Sequence, residues 1–503
     1  MVHRLDKQEI KTYGLSAHDI AIHQRRIKVS LKSAKTSFIP IIDSFRLDNG
    51  GILPKQFYRS DERAQAEGFV AFVPAAGAAS RYFQPLQNLR QAITDKNEES
   101  LTTELARLKK EGASNWPLPA ALSALIHSND AVPSMNELQT VLDEISWPKA
   151  LLPCRKNAES FLQKKVLEHK AMKGLVAEVY VAPLGCSESF QKHLGEPEAK
   201  IKFLEQGPEL STLRFTREGD PFRDEDDKLS LVPAGHGMLV RLFPEITKMF
   251  GTAAHSLFIR NIDNVIKEEA ACLADTESFL LQHQEVLKGL KAIRLALAAK
   301  NIDQAAKIAE DMLSRFPSGK FEKPQWVKSF TPSEQLLWTL QLKIFHCPQV
   351  LAKTLLKSKS SAEALTALYK RPFNSLGQVP NNGKDVGGSP VRARHDGGEV
   401  AICLELPHAS PDDRKTFLED PKVATHFNPV FVAAELPEDM AAYDLEQCPF
   451  WILAEKNIHG TPVVYHEIVL YEVLGNSYTA NVIFPEIPRR LFNPHKSLLD
   501  GVK

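Results

Sequence analysis

The chain has 503 residues, 43% of them hydrophobic and 25% charged, with 62 Lys+Arg against 62 Asp+Glu. That length predicts two or three domains or one heavily decorated domain, and the zero charge balance offers no global field to nucleic acid or an acidic membrane, so an anion site must be local. Six widely spaced cysteines without a CxxC pair or a zinc-spaced His/Cys cluster argue against a disulfide framework or structural zinc; with no apolar signal core in MVHRLDKQEIKTYG and no bilayer-length apolar run, the expectation is a cytoplasmic protein.

In chain order, residues 5–35 read as helical, with Ser16 and Asp19 placed as a capping box, inside an N-terminal helical segment of residues 1–68. The first strong strand is Phe69–Val73. Residues 84–147 carry helical periodicity in LTTELARLKKEG, PAALSALIHS and MNELQTVLDEIS and read as a helical insertion. PKALLP (148–153) is a strand-like run, followed by a helix over Ala158–Lys170. A strand Val176–Val181, a helix Ser187–Leu194 and a strand Lys200–Leu204 give the βαβ rhythm of a mostly parallel sheet. Thr212–Val232 reads as a β-excursion turning in REGDPFRDEDD, and Ser256–Ile262 as a buried strand. Residues 266–370 form a second helical insertion. Residues 371–396 look loop-rich, and strands resume at Val400–Leu406, Val463–Leu474 and Tyr478–Phe484. The fold class is α/β: an α/β core over 69–265, completed by a β-rich part over 371–503, with two helical insertions.

Two segments stand out chemically. In FVPAAGAASRYF a strand stops in small residues, Ala76, Gly77, Ala78, Ala79 and Ser80, before Arg81. Such a loop lets a polyanion reach the backbone, with a guanidinium to meet its charge. Taken alone, it equally fits a plain strand-to-helix turn. Lys149 follows a proline and can present a compact ammonium to phosphate; a solvent-facing lysine is the competing reading. Asp263 follows a buried strand, so its carboxylate belongs at the carboxyl end of the sheet, where open α/β sheets bind ligands. The alternative for Asp263-Asn264 is a cap on the next helix. The acids Asp220, Asp224, Asp226 and Asp227 read as a solvated hairpin tip.

The order strand, AAGxxSR, PKALLP, helix resembles the sugar nucleotidyltransferases, whose signature runs L-A-A-G-x-G-T-R and then P-K-P-L. FVPAAGAASRYF, FLEQGPE, VPAGHGMLVRL, LFIRNIDNVI, VATHFNPV and LFNPHKSLLD together resemble a bacterial domain-of-unknown-function family placed with the UDP-sugar pyrophosphorylases. The resemblance implies a GT-A-like (Rossmann-like) mixed, mostly parallel sheet flanked by helices. It further implies that residues 76–80 lie along a triphosphate and that Arg81, Lys149 and Lys496 neutralise its charge. Gln206, Gly235, His236 and Gly237 would meet the base, and Asp263 would hold Mg2+. His426, Asn428, Gly387 and Gly388 are candidates for the sugar side. Ala79 and Ser80 replace the second glycine and the threonine of the signature, and a Cβ at position 79 narrows the approach of a phosphate.

The implied reaction is Mg2+-dependent transfer of a nucleotidyl group, UTP being the donor the resemblance favours, to a sugar 1-phosphate with release of pyrophosphate. The partners are therefore a nucleoside triphosphate and a sugar phosphate, with no nucleic acid and no membrane. Two alternatives are a glycosyltransferase on the same fold, using a D-x-D pair such as Asp224 and Asp226, and a non-catalytic nucleotide-binding protein.

Overall fold

The computed structural model describes residues 6–33, 38–61, 63–77, 82–110, 135–136, 148–154, 159–195, 200–266, 270–319, 321–383, 387–395, 398–437, 443, 445–458 and 460–496. Its centre is a seven-stranded sheet: β1 Phe69–Pro74, β2 Leu175–Pro183, β3 Ile201–Gln206, β4 Ser256–Arg260, β5 Phe373–Leu376, β6 Phe431–Glu435 and β7 Asn481–Ile483. The spatial order is β3-β2-β1-β4-β6-β5-β7. β6 runs antiparallel to both neighbours, and all other pairs are parallel. The expected mixed, mostly parallel sheet flanked by helices is therefore what the chain forms.

The strand sequences explain this arrangement. FVAFV, SLFI and FVAA are short apolar runs buried along their whole length, the pattern of strands covered on both faces. Alternate residues then feed different cores. Phe69, Phe258, Phe373, Phe431 and Ile483 pack against the helices between residues 270 and 369. Val70, Phe72, Leu257, Ile259, Val432 and Val482 pack against Leu239, Phe243, Ile246, Leu470 and Val473 on the opposite face.

The helical stretch after β4 comprises Ala270–Ala298, Ile302–Arg315, Pro332–Thr339, Gln349–Leu356 and Ser361–Tyr369. Thr331 with Glu334 and Ser360 with Glu363 form capping boxes, which fix two of these starts. Arg294 joins the first of these helices to the sheet: its Nη2 donates to Glu435 Oε2 at 2.9 Å and to the Arg371 carbonyl at 2.9 Å. No helix among the described residues is long and apolar enough to cross a membrane. The six cysteines form no disulfide.

Several elements differ from expectation. The N-terminal helix is two helices, Lys7–Thr12 and Ala17–Ser33, separated at Gly14, whose φ is +71°. Ser16 Oγ does accept from the Asp19 N–H at 3.2 Å, but the Asp19 carboxylate turns to Arg241 instead of closing a box. Ile41–Ser44 is a strand, paired antiparallel with Ser389–His395, so residues 1–68 are not all helical. PKALLP forms a single 3-10 turn over Lys149–Leu151, because Pro148 sets an extended entry and Leu152 N–H closes on Lys149 O.

The expected loop at 371–396 contains β5 and the strand Ser389–His395; its buried Asn374 and Ser375 hid β5. They are satisfied by Leu474 O at 2.8 Å and His283 Nδ1 at 2.9 Å. β6 was missed because FVAA holds one β-branched residue and is short. The expected strand Val463–Leu474 stops at Glu467 and becomes a helical turn, Leu470–Val473. There Ile468 leaves its ladder, giving its N–H to Ala234 O and its carbonyl to Gly237 N–H. Of the first helical insertion, Gln84–Thr94 and Glu98–Lys110 are helices. Residues 111–134 and 137–147 lie outside the described residues.

Candidate functional site

β1 and β4 are adjacent and parallel, with Phe72 opposite Ile259. The chain leaves β1 toward β2 on one side, while β4 begins the other half of the sheet. Their carboxyl ends therefore flank a topological switch point, where a crevice opens. Both leading sequence candidates emerge there, Ala76-Gly77 after β1 and Asp263 after β4. Among the described residues, a Cβ built on Gly77 meets nothing within 4 Å.

Lys149 joins the two loops. Its N–H donates to Gly77 O at 3.3 Å. Its largely buried ammonium donates to Asp263 Oδ2 at 2.9 Å and to His495 O at 2.6 Å. It also lies 5.4 Å from the ring centres of both Tyr82 and Phe161, whose π faces favour a cation. The bland expectation of a solvent-facing lysine does not hold.

The Asp263 loop is pinned from beneath and from the side. Lys165 and Arg260, both fully buried, each donate to the Asn264 carbonyl at 2.5 Å and to Glu168 Oε2 at 3.1 Å. Burial lowers the Lys165 pKa to about 8, helped by Arg260 and opposed by Glu168. Asn264 Oδ1 accepts from Asn493 N–H at 3.0 Å, and Asp263 O from His495 N–H at 2.9 Å. The Asn264 side chain thus ties down the C-terminal segment that carries Lys496.

The opposite wall is PAGHG. Gly235 has φ +99°, and a Cβ there would sit 2.4 Å from Ile468 O; at Gly237 it would sit 2.5 Å from Val469 O. These glycines admit the protein's own backbone, not only a ligand. His236 lines the cleft with Nε2 3.8 Å from Glu405 Oε1. Burial holds its imidazole below the ordinary histidine range, with Glu467 opposing.

The cleft measures about 830 Å³, within the range of small-molecule sites. It brings together Ala76, Gly77, Lys149, Gln206, Gly235, His236, Asp263, Gly387, Gly388, Asn428 and Lys496. Gly237 lies behind the wall. His426 is not among the lining residues; it bonds Glu486 at 3.0 Å and Thr425 at 2.9 Å. Asn428 touches the cleft, but its amide is committed to Gly377 O at 2.7 Å and its Oδ1 to Tyr471 Oη at 2.7 Å. A Cβ at Gly387 would meet Asn428 O at 2.5 Å, and one at Gly388 the Tyr471 ring at 2.4 Å. Ala78, Ala79, Ser80 and Arg81 lie outside the described residues.

Glu405 and Glu467 also line the cleft and were not foreseen. Each stands at the carboxyl end of a strand, Gly398–Leu404 and Thr461–Glu467, the same signal that pointed to Asp263. Glu467 was hidden by reading its strand through to Leu474. The acidic hairpin is as expected: Asp224 Oδ1 accepts from Asp226 N–H at 3.0 Å and Lys228 N–H at 2.9 Å, at an exposed tip.

Among the described residues no three His, Cys, Asp or Glu side chains converge as a metal cage. Asp263 alone offers a carboxylate beside Lys149, and its side chain keeps 23% exposure to the cleft. Such a donor suits magnesium only when phosphates and water supply the other oxygens.

No curated protein matches the chain. Among solved structures it is similar to a single-substitution mutant of UDP-glucose pyrophosphorylase from Leishmania major in complex with UDP-glucose. Identity is 12%, TM-score 0.47, covering 96% of this chain and 77% of that one. It is also similar to a candidate UDP-N-acetylglucosamine pyrophosphorylase from Entamoeba histolytica, at 11% identity and TM-score 0.38, covering 91% and 82%. A family described as "Domain of unknown function (DUF4301)" matches residues 186–503, a span that includes PAGHG, Asp263 and Lys496. With well over half of its length matched, the chain belongs to the DUF4301 family.

Proposed function

We propose that the protein is a nucleotidyltransferase that joins a nucleoside triphosphate, UTP by preference, to a sugar 1-phosphate. The observation that carries this reading is the convergence of Gly77, Lys149 and Asp263 at the carboxyl ends of β1 and β4, with Lys496 on the same cleft. A phosphate oxygen of the sugar phosphate attacks the α-phosphorus of the triphosphate. The bond to the β-phosphate bridging oxygen breaks and pyrophosphate leaves. No protein nucleophile is required, so catalysis is positioning and charge neutralisation.

In this reading the Gly77 backbone lies along the phosphates, where the absence of a Cβ leaves room. Lys149 is held by Asp263 and His495 O in a fixed place, so its charge is oriented before substrate arrives. Lys496 approaches from the C-terminal segment that Asn264 secures. Asp263 would hold Mg2+ together with substrate phosphates, and the ion would neutralise charge on the departing pyrophosphate. Gln206 and the Gly235-His236 corner face the base. Arg81, and Ala78 to Ser80, belong to the same proposal by resemblance of the motif.

The glycosyltransferase reading has less support, because Asp224 caps its own turn and neither Asp224 nor Asp226 lines the cleft. The decisive assay is pyrophosphate release from UTP, a panel of sugar 1-phosphates and Mg2+. Asp263→Ala is expected to lower turnover by about 10³-fold or more with the fold retained. Full turnover in that variant rules out the magnesium role. UTP-induced thermal stabilisation without pyrophosphate release would instead favour a non-catalytic nucleotide binder.

A further inference from the structure

Among the described residues, the non-glycine positions with a positive φ are Lys96, Asp227, Lys300, His346 and Val430. Lys96 and Lys300 follow helix ends, His346 follows the helical turn Leu340–Ile344, and Asp227 sits at the exposed hairpin tip. Val430, at +60°, is the β-branched member of this set and the member that lines the cleft. Left-handed backbone crowds Cβ against the chain, and a branch at Cβ makes such a residue a true outlier. The surroundings enforce it. Asn428, 1% exposed, accepts the Val430 N–H on Oδ1 at 2.8 Å and donates its amide to Gly377 O at 2.7 Å and Phe431 O at 3.2 Å. Tyr471 Oη donates to Asn428 Oδ1 at 2.7 Å, and the Asn428 and Gly388 backbones exchange hydrogen bonds at 2.7 and 3.2 Å. Strain persists where neighbours over-determine it, and it gathers at ligand sites.

The turn has a defined place along the site. β6 runs against β4 with Phe431 opposite Arg260, so Val430 stands one step past the carboxyl end of β4, at the start of the Asp263 loop. Along this edge of the sheet come Gln206 on β3, Gly77 after β1, Asp263 after β4 and then Val430 before β6. β6 lies two strand spacings, about 10 Å, from β1. A nucleotide with its base at Gln206 and its phosphates at Gly77 leaves the Val430 side to its reaction partner. Val430 packs on the core beneath and keeps part of its side chain in the cleft. Resting on the nucleotidyl-transfer reading, we propose that Val430 contacts the sugar of the second substrate, its methyl groups held against the C–H face of the ring by the strained turn. Asn428 is the positioning residue that sets that turn. Apolar surface with a few fixed polar groups is the usual lining of small-molecule sites.

The test is Val430→Asn in the full chain, because asparagine adopts left-handed backbone at little cost and removes both methyl groups. The substrate is the sugar 1-phosphate that the wild type turns over fastest with UTP and Mg2+. Its KM is expected to rise about tenfold, with kcat within about threefold and UTP affinity by calorimetry within about twofold. The melting temperature is expected to equal or exceed that of wild type, since the strain is relieved. Should Val430→Asn not fold, Val430→Ala removes the same methyl groups and carries the same KM test. A lower melting temperature with unchanged KM makes Val430 a packing residue and overturns the proposal. A loss of UTP affinity equal to the rise in KM also overturns it, by placing Val430 at the nucleotide. If the wild type releases no pyrophosphate with any sugar 1-phosphate, the nucleotidyl-transfer reading falls and the proposal with it. Wild-type turnover with the same KM in the variant overturns the proposal alone.

Discussion

Gly77 and the pair Gly235 and Gly237 stand on opposite walls of one cleft and look alike in the sequence, as small residues in a turn beside a strand. A methyl group meets opposite conditions at the two places. At Gly77 it would meet none of the described residues, whereas at Gly235 and Gly237 it would strike the carbonyls of Ile468 and Val469. One glycine leaves room for a ligand; the others let two segments of the protein close on each other. The same residue type therefore predicts loss of binding on one wall and loss of folding on the other.

The largest expected effect is on the packed wall. Gly235→Ala combines a positive φ with a backbone clash and is expected to cost about 3–5 kcal/mol, read as a lower urea midpoint. An unchanged midpoint would erase the distinction between the walls. Acid titration probes the same wall from behind. Burial, aided by the charge of His236, lowers the His408 pKa to about 4. A group depressed in this way stabilises the fold above its unfolded pKa near 6.5 and loses that contribution as pH falls toward 4. The loss is roughly 3 kcal/mol at about 1.4 kcal/mol per unit. Urea unfolding at pH 7.5 and pH 4.5 should show it, and His408→Gln should change the difference between the two by about that amount, the buried His283 and His346 keeping their own share.

On the open wall, Gly77→Ala is expected to leave stability within about 0.5 kcal/mol of wild type. It should weaken UTP binding by about tenfold through loss of close phosphate approach, measured by calorimetry. A stability loss comparable to that of Gly235→Ala would show that Gly77 is structural too. Smallest of all is Asp226→Asn at the hairpin tip, expected to change stability by less than about 0.5 kcal/mol and pyrophosphate release not at all.

Much of the frame was legible in the sequence because buried parallel strands leave uninterrupted apolar runs. β1 and β4 were found in this way from FVAFV and SLFI; β2 and β3, VAEVYV and KIKFL, carry charged residues and were found from the βαβ alternation around the helix Ser187–Leu194. Where a strand carried buried polar groups, as Asn374 and Ser375 do in β5, local reading failed, since their partners Leu474 and His283 lie 100 and 92 residues away. Gly77, Lys149 and Asp263 could be singled out from residue type and position at strand ends. That Lys149 would be buried between Asp263, His495 O and two aromatic rings could not, because those contacts join segments 114 and 346 residues apart.

The sequence by itself determined the alternation of apolar runs and helical stretches, and with it the α/β class and the places where chemistry could emerge. Only the tertiary structure decided which of those places meet. Strand order set β1 beside β4 and so brought Gly77 to Asp263. The turn at Ile468 swung Glu467 into the cleft opposite them. Local propensity cannot encode that meeting, because it depends on which side chains fill the two cores on either face of the sheet.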